Sequence, residues 1–295
     1  MILITGASGK TGQAILRALA VKRVSARAFV RHPDQARAVV SLGAEQAIVG
    51  DLRDEEAVRR AMEGTRSVYH ICPNVSPDEV LIGQIAARAA RAAGVEHFIY
   101  HSVLHPQVEA MPHHWNKLRV EELLFESGLP FTILQPAIYM QNVLTHWSHI
   151  SEQGLYAVPY PPETRLSLVD LEDVAEAAAN VLTELGHIRA TYELVGTRAM
   201  AQTDVVETLT SCLGQAIQIA TVSVDTWREQ AEAAGMGAYQ VAALIKMFDY
   251  YARQGLYGNA NILGWLIHRT PTSFMAFVQR TLRERNGLPT LREPA

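Results

Sequence analysis

Two cysteines, Cys72 and Cys212, are all that the 295 residues contain. That is too few for a disulfide framework, and it makes a reducing compartment the expectation. A strong excess of one charge is also missing: the formal net charge is −4. Non-specific nucleic-acid binding needs a basic face, so no nucleic-acid partner is expected. No apolar run comes near the roughly 18 residues of a membrane span. The first apolar run begins at Met1, which speaks against a cleaved signal peptide and for a soluble, cytoplasmic protein without a membrane partner. Aromatic residues make up only 7% and gather late, at Tyr156, Tyr160, Tyr250, Tyr251, Tyr257 and Trp265. Packing is their plainest use.

What the chain has is apolar substance, 48% of its residues, enough for one large domain or two smaller ones. Short apolar runs at 1–5, 25–30, 46–49, 67–71, 98–101 and 131–134 alternate with helical patterns at 10–20, 33–42, 55–62, 78–93 and 115–127. Strands joined by crossover helices form a parallel sheet covered on both faces, so the expected fold is α/β, a doubly wound Rossmann sheet. The rhythm changes near residue 140. A strand at 165–169 and a helix at 171–182 are expected to return to the first domain. Beyond Gly196 the pattern is mainly helical, at 202–213, 224–234, 240–253 and 273–285, with one strand at 217–222. The expected division is a dinucleotide-binding domain over 1–155, rejoined by 164–185, and a smaller substrate or cap domain over 186–295. The tail beyond Gly287 reads as a loose end.

The first strand runs straight into Gly6-Ala7-Ser8-Gly9-Lys10-Thr11-Gly12. Glycines permit positive φ in such a turn and let backbone approach a pyrophosphate, which the free N–H groups of the next helix then face. Gly6, Ser8, Gly9, Lys10, Thr11 and Gly12 are therefore cofactor candidates. Gly9-Lys10-Thr11 also resembles the end of a triphosphate-binding loop, but the glycine that loop needs five residues earlier is Ile4, inside the strand. Arg31 ends the second strand, about 20 residues past the turn, where an acid would select NAD and an arginine suits the 2′-phosphate of NADP(H).

These features, with Gly50-Asp51-Leu52, His101-Ser102-Val103, His113-His114-Trp115-Asn116-Lys117, Ser127 to Pro136 and Tyr139-Met140-Gln141-Asn142, resemble the NmrA-like, atypical short-chain dehydrogenase/reductases. That group includes quinone reductases, dye reductases and phenylpropanoid ether reductases. The resemblance implies Asp51 at the adenine, Leu52, Cys72 and Pro73 as further cofactor-binding residues, and Lys117 at the nicotinamide ribose. Ordinary short-chain dehydrogenases carry Tyr-x-x-x-Lys; here His113 stands four residues before Lys117. His113 is a candidate acid or a loop residue capping the next helix, and Ser102 is a candidate pocket hydroxyl. The plain alternative for Lys117 is a solvated lysine paired with Glu121 at i+4.

Five histidines fall between His97 and His113-His114, but 97–101 reads as a strand, where i+4 spacing does not bring two rings together as a helix does. No metal is expected. The leading expectation is an NADPH-dependent reductase that passes hydride to an apolar conjugated or carbonyl acceptor such as a quinone. Tyr139, Met140, Asn142 and Trp147 would line the substrate side beneath a C-terminal cap, and a homodimer stays open. The competing class is a non-catalytic dinucleotide-binding redox sensor. Arg31→Ala is expected to remove most of a preference for NADPH over NADH, because a charge-assisted phosphate contact is worth about 1.5–3 kcal/mol. Equal dissociation constants for the two cofactors in the wild type would contradict it.

Overall fold

The computed structural model describes residues 1–288; the rest of the tail expected to be loose, 289–295, lies outside them. The described chain divides into two compact units, 1–136 with 174–193, and 137–173 with 194–288. The expected boundary near 155 thus falls inside the second unit.

The first unit begins β1 (Ile2–Ile4), α1 (Lys10–Val21), β2 (Ala26–Val30), α2 (Pro33–Ser41), β3 (Gln46–Val49) and α3 (Glu55–Met62). It goes on through β4 (Ser67–His70), α4 (Glu79–Ala92), β5 (His97–His101), α5 (Pro112–Glu126) and β6 (Phe131–Pro136). The chain then passes through the second unit: β7 (Ile138–Tyr139), a 3-10 helix (Met140–His146), α6 (Trp147–Gln153), β8 (Leu155–Val158), β9 (Arg165–Leu166) and β10 (Leu168–Val169). It comes back as α7 (Leu171–Thr183) and β11 (Thr191–Leu194). The seven-stranded sheet runs β11-β6-β5-β4-β1-β2-β3, with parallel pairing from β3 across to β6.

Local chemistry accounts for these elements. β1, β4 and β6 are buried throughout, as parallel strands covered on both faces must be, whereas β3 at the edge is half-buried in its middle and exposed at both ends. Helix α1 turns Ala14, Ile15, Leu16 and Leu19 inward, the spacing of one helical face. Asp54 caps α3 by accepting from the Glu56 and Ala57 N–H groups at 3.0 and 3.1 Å. Pro112 starts α5 three residues before the expected 115, because proline's fixed φ suits a first helical position. His113 and Lys117 therefore share a helix, and His113 is not a loop residue.

The second unit continues with β12 (Met200–Ala201), α8 (Gln202–Leu213), β13 (Gln218–Thr221), α9 (Val224–Ala233), α10 (Ala238–Gln254), α11 (Asn261–Ile267) and α12 (Phe274–Arg285). Its strands form two-stranded ladders, β7 with β10, β8 with β13 and β9 with β12. The single strand expected over 165–169 is broken: Leu166 pairs antiparallel with Met200, while Leu168 pairs parallel with Ile138. Buried acids tie this unit together. Asp170 meets Arg280 at 2.7 Å and accepts from Gln141 Nε2 at 2.7 Å. Asp173 accepts from Arg269 at 2.7 Å and from the Thr272 N–H at 2.6 Å. No helix among the described residues is long and apolar enough to cross a membrane.

Candidate active site

The strand order changes direction at β1, which has β2 on one side and β4 on the other. Ligands of open α/β sheets bind outside the carboxyl ends of the strands at such a point. The glycine turn lies there. Gly6 has φ +58°, and a Cβ on Gly12 would come within 2.5 Å of the Gly6 carbonyl oxygen and 2.6 Å of Ala7 Cα. Both positions are therefore closed to side chains by the fold itself. Gly9 differs: it is exposed, and a Cβ there would meet only the Gly6 oxygen, at 3.3 Å. Gly9 is the N-cap of α1, whose start has no side-chain cap from Gly9 and no acid in its first turn, a setting that suits an anion. A bare, uncapped helix start at the switch point fits a dinucleotide's pyrophosphate.

Beside it, Arg31 is exposed at the end of β2. Asp51, after β3, accepts from the Arg53 backbone N–H at 2.9 Å and from its guanidinium at 3.1 and 2.8 Å. These bonds, together with the charges of Arg53 and Arg31, hold the Asp51 carboxyl down at about 2. Arg53 also reaches Asp78, just before α4, at 3.6 Å. Sequence reasoning passed over Arg53, although Asp51-x-Arg53 is the kind of short-range pair that signals it. Leu52 and Cys72 are buried and Pro73 half-buried; burial pushes the Cys72 thiol up, so it stays protonated.

Lys117 is not the solvated partner of Glu121. Its Nζ lies 3.0 Å from Glu79 Oε1 and donates to the His101 carbonyl at 3.2 Å; the side chains of Lys117 and Glu79 are 15% and 3% exposed. It also sits 5.3 Å from the centre of the Tyr100 ring. Glu121 is occupied elsewhere, accepting from the Ser102 hydroxyl and from Gln135 Nε2 at 2.9 and 3.0 Å. Ser102 is thus buried and committed to a carboxylate.

The histidines near these residues are neutral. Burial, reinforced by the Lys117 charge, lowers His113 to about 4 and His101 to about 3. His114 falls to about 3, first through burial and then through the charge of His113. His101 Nδ1 lies 2.8 Å from the Tyr69 hydroxyl, His97 Nε2 2.8 Å from Thr132 Oγ1 and His114 Nδ1 3.2 Å from the His105 carbonyl. His113 Nδ1 is buried without a hydrogen-bond partner. Near pH 7 no imidazolium stands at position 113 to give up a proton. The residues expected on the substrate side belong to the second unit. Tyr139 is half-buried and Asn142 exposed, while Met140 and Trp147 are buried and Arg285 lies 5.2 Å from the Trp147 ring.

The profile of the NmrA-like family matches residues 1–281. The NAD(P)H azoreductase of Xenophilus azovorans is 28% identical over 262 residues, 85% of this chain and 89% of that protein. Quinone oxidoreductase 2 of Escherichia coli is 27% identical over 291 residues, 97% of this chain and 100% of that protein. A crystal structure of an E. coli NADPH-dependent quinone oxidoreductase complexed with NADPH superposes with a TM-score of 0.84 at 26% identity, covering 96% of this chain and 100% of that one. The negative transcriptional regulator NmrA superposes at 0.74 with 18% identity over 98% of both chains, a likeness of fold alone.

The neutral histidines set a pH dependence. His70 and His97 are also held at about 4 by burial, so five rings stay uncharged in the fold but take up protons near about 6.5 once unfolded. The unfolded chain then binds more protons between about pH 6.5 and 4, and stability falls as pH falls through that window. Burial raises Glu121 and Asp173, which opposes the trend with two groups against five. Thermal unfolding of the ligand-free protein is expected to give a Tm that drops steadily from pH 7 to pH 5. A Tm that is flat or rising on acidification would contradict the burial of uncharged rings.

Proposed function

We propose that this chain, which belongs to the NmrA-like family, is an NADPH-dependent reductase that transfers hydride to a small apolar, conjugated acceptor such as a quinone. The observation that carries the reading is one convergence at the strand ends of the first unit. There an uncapped glycine helix start, two arginines around Asp51 and a buried, ion-paired Lys117 lie along the site a dinucleotide would take. The azo-dye and quinone reductases among its relatives support the same chemistry.

Bound NADPH supplies the hydride. The chain's own residues bind and orient. The first N–H groups of α1 would hold the pyrophosphate, and Arg31 would take the 2′-phosphate in a charge-assisted contact. Lys117 would reach the nicotinamide ribose, and its positive charge would favour negative charge growing on the acceptor. The absence of Tyr-x-x-x-Lys and the neutral state of His113 remove a strong side-chain acid. An acceptor whose reduced form tolerates late protonation, such as a quinone, suits this site better than a simple alcohol–ketone pair.

NADPH oxidation measured against quinones, enones and azo dyes tests the proposal. Quinone turnover is expected, with His113→Ala costing less than about 10-fold, because a positioned acid is worth roughly 100-fold or more. NADPH binding without turnover of any acceptor would replace this reading with that of a redox sensor.

A further inference from the structure

Glu79 is the first residue of α4, yet only 2% of it reaches solvent. An acid is almost never that buried unless it is paired. Acids in a first helical turn ordinarily face water and complement the helix dipole; this one faces the interior of the first unit. Three groups from other segments meet it. The Tyr100 hydroxyl, from β5, donates to Oε1 at 2.7 Å. Lys117 Nζ, from α5, lies 3.0 Å from the same oxygen. The Cys72 thiol, after β4, feels the charge of the same carboxylate.

Lys117 has a second acceptor in the His101 carbonyl, at 3.2 Å. An ammonium carries three hydrogens in tetrahedral directions, so two fixed acceptors determine where the third points. The side chain keeps 15% exposure, so it is not sealed off from solvent. Glu121, one turn along α5, cannot do the same work, because Ser102 and Gln135 already occupy its oxygens.

From this arrangement we infer that Glu79 is the positioning residue for Lys117. It fixes the ammonium between itself and the His101 carbonyl and presents the remaining N–H to the reacting end of the cofactor. Tyr100 acts through Glu79 by holding the carboxylate in place. The inference rests on the reductase reading for the identity of the ligand, but the pairing itself is a property of the ligand-free protein.

A double-mutant cycle of Glu79→Gln and Lys117→Met tests it in two ways. In the ligand-free protein, Lys117→Met strands a buried carboxylate, so Tm is expected to drop by about 5 °C or more in the native background and to change little beside Glu79→Gln. A strictly additive thermal cycle overturns the inference whatever the enzyme does. In turnover, Glu79→Gln is expected to lower kcat roughly 10- to 100-fold while KM for NADPH stays within about 3-fold, the mark of lost orientation rather than lost binding. The double variant should be no slower than Lys117→Met alone. Rate losses that multiply, or a Glu79→Gln kcat within about 2-fold of wild type, also overturn it. Should Glu79→Gln not fold, Glu79→Asp, which keeps the charge but withdraws it by one methylene, takes its place in the turnover measurement, and Glu79→Leu in the thermal cycle. A wild type inert toward every acceptor sinks the reductase reading, and the thermal cycle still decides the pairing.

Discussion

Everything at the site depends on how β1 is tied to β4. Thr5, one residue past β1, accepts from the Ile71 N–H at 2.8 Å through its side-chain oxygen, which also lies 3.0 Å from His70 Nδ1. The Thr5 N–H donates to the Tyr69 carbonyl at 3.0 Å. This lashing joins the two strands where the sheet's order reverses, and it brings the glycine turn against the end of β4: a Cβ on Gly6 would meet the Ile71 carbonyl oxygen at 3.0 Å. The strands from β3 to β6 pair in parallel, so the loops after β2, β3, β4 and β5 leave the sheet along the same edge. Scaffold and site are thus the same set of strand ends, as the doubly wound fold requires.

Buried carboxylates give that edge its electrostatic character. Glu79 holds Lys117, and Glu121 holds Ser102. Burying a charge is costly unless it is hydrogen-bonded and paired, and both acids have several donors. The same expense recurs in the second unit, where Asp170 and Asp173 hold Arg280 and Arg269. His70, His97, His101, His113 and His114, by contrast, are kept neutral by burial and serve largely as hydrogen-bonding members of the interior. The crowding of histidines between 97 and 114 reflects three adjoining segments, β5, the loop after it and the start of α5.

Much of this was legible in the sequence, and the reasons are local. The glycine turn, Arg31 and the alternation of apolar runs with helical patterns all obey short-range rules, so β1 to β6 and α1 to α5 fall close to where those rules place them. Elements that depend on distant partners were not legible. β11 is a short strand whose place beside β6 comes from pairing, and 165–169 is split because its halves pair with Met200 and Ile138. Glu79 escaped for the same reason. Its sequence neighbours mark it as an exposed acid of a first helical turn, and only the packing of α4 against β5 and α5 turns it inward. The alternative of a Lys117–Glu121 pair fails because i+4 spacing is a local rule, whereas Glu79, the partner Lys117 has in the fold, is 38 residues away.

Calorimetric titration of NADPH into Gly9→Val bears most directly on the claim that the glycine turn is a dinucleotide site. Gly9 is exposed and makes no tight internal contact beyond the Gly6 oxygen at 3.3 Å, so the variant should fold, and circular dichroism can establish that it has. A branched side chain would then stand in the space the pyrophosphate needs. The account predicts a folded protein with no measurable NADPH binding. A folded Gly9→Val that binds NADPH with unchanged affinity would contradict it.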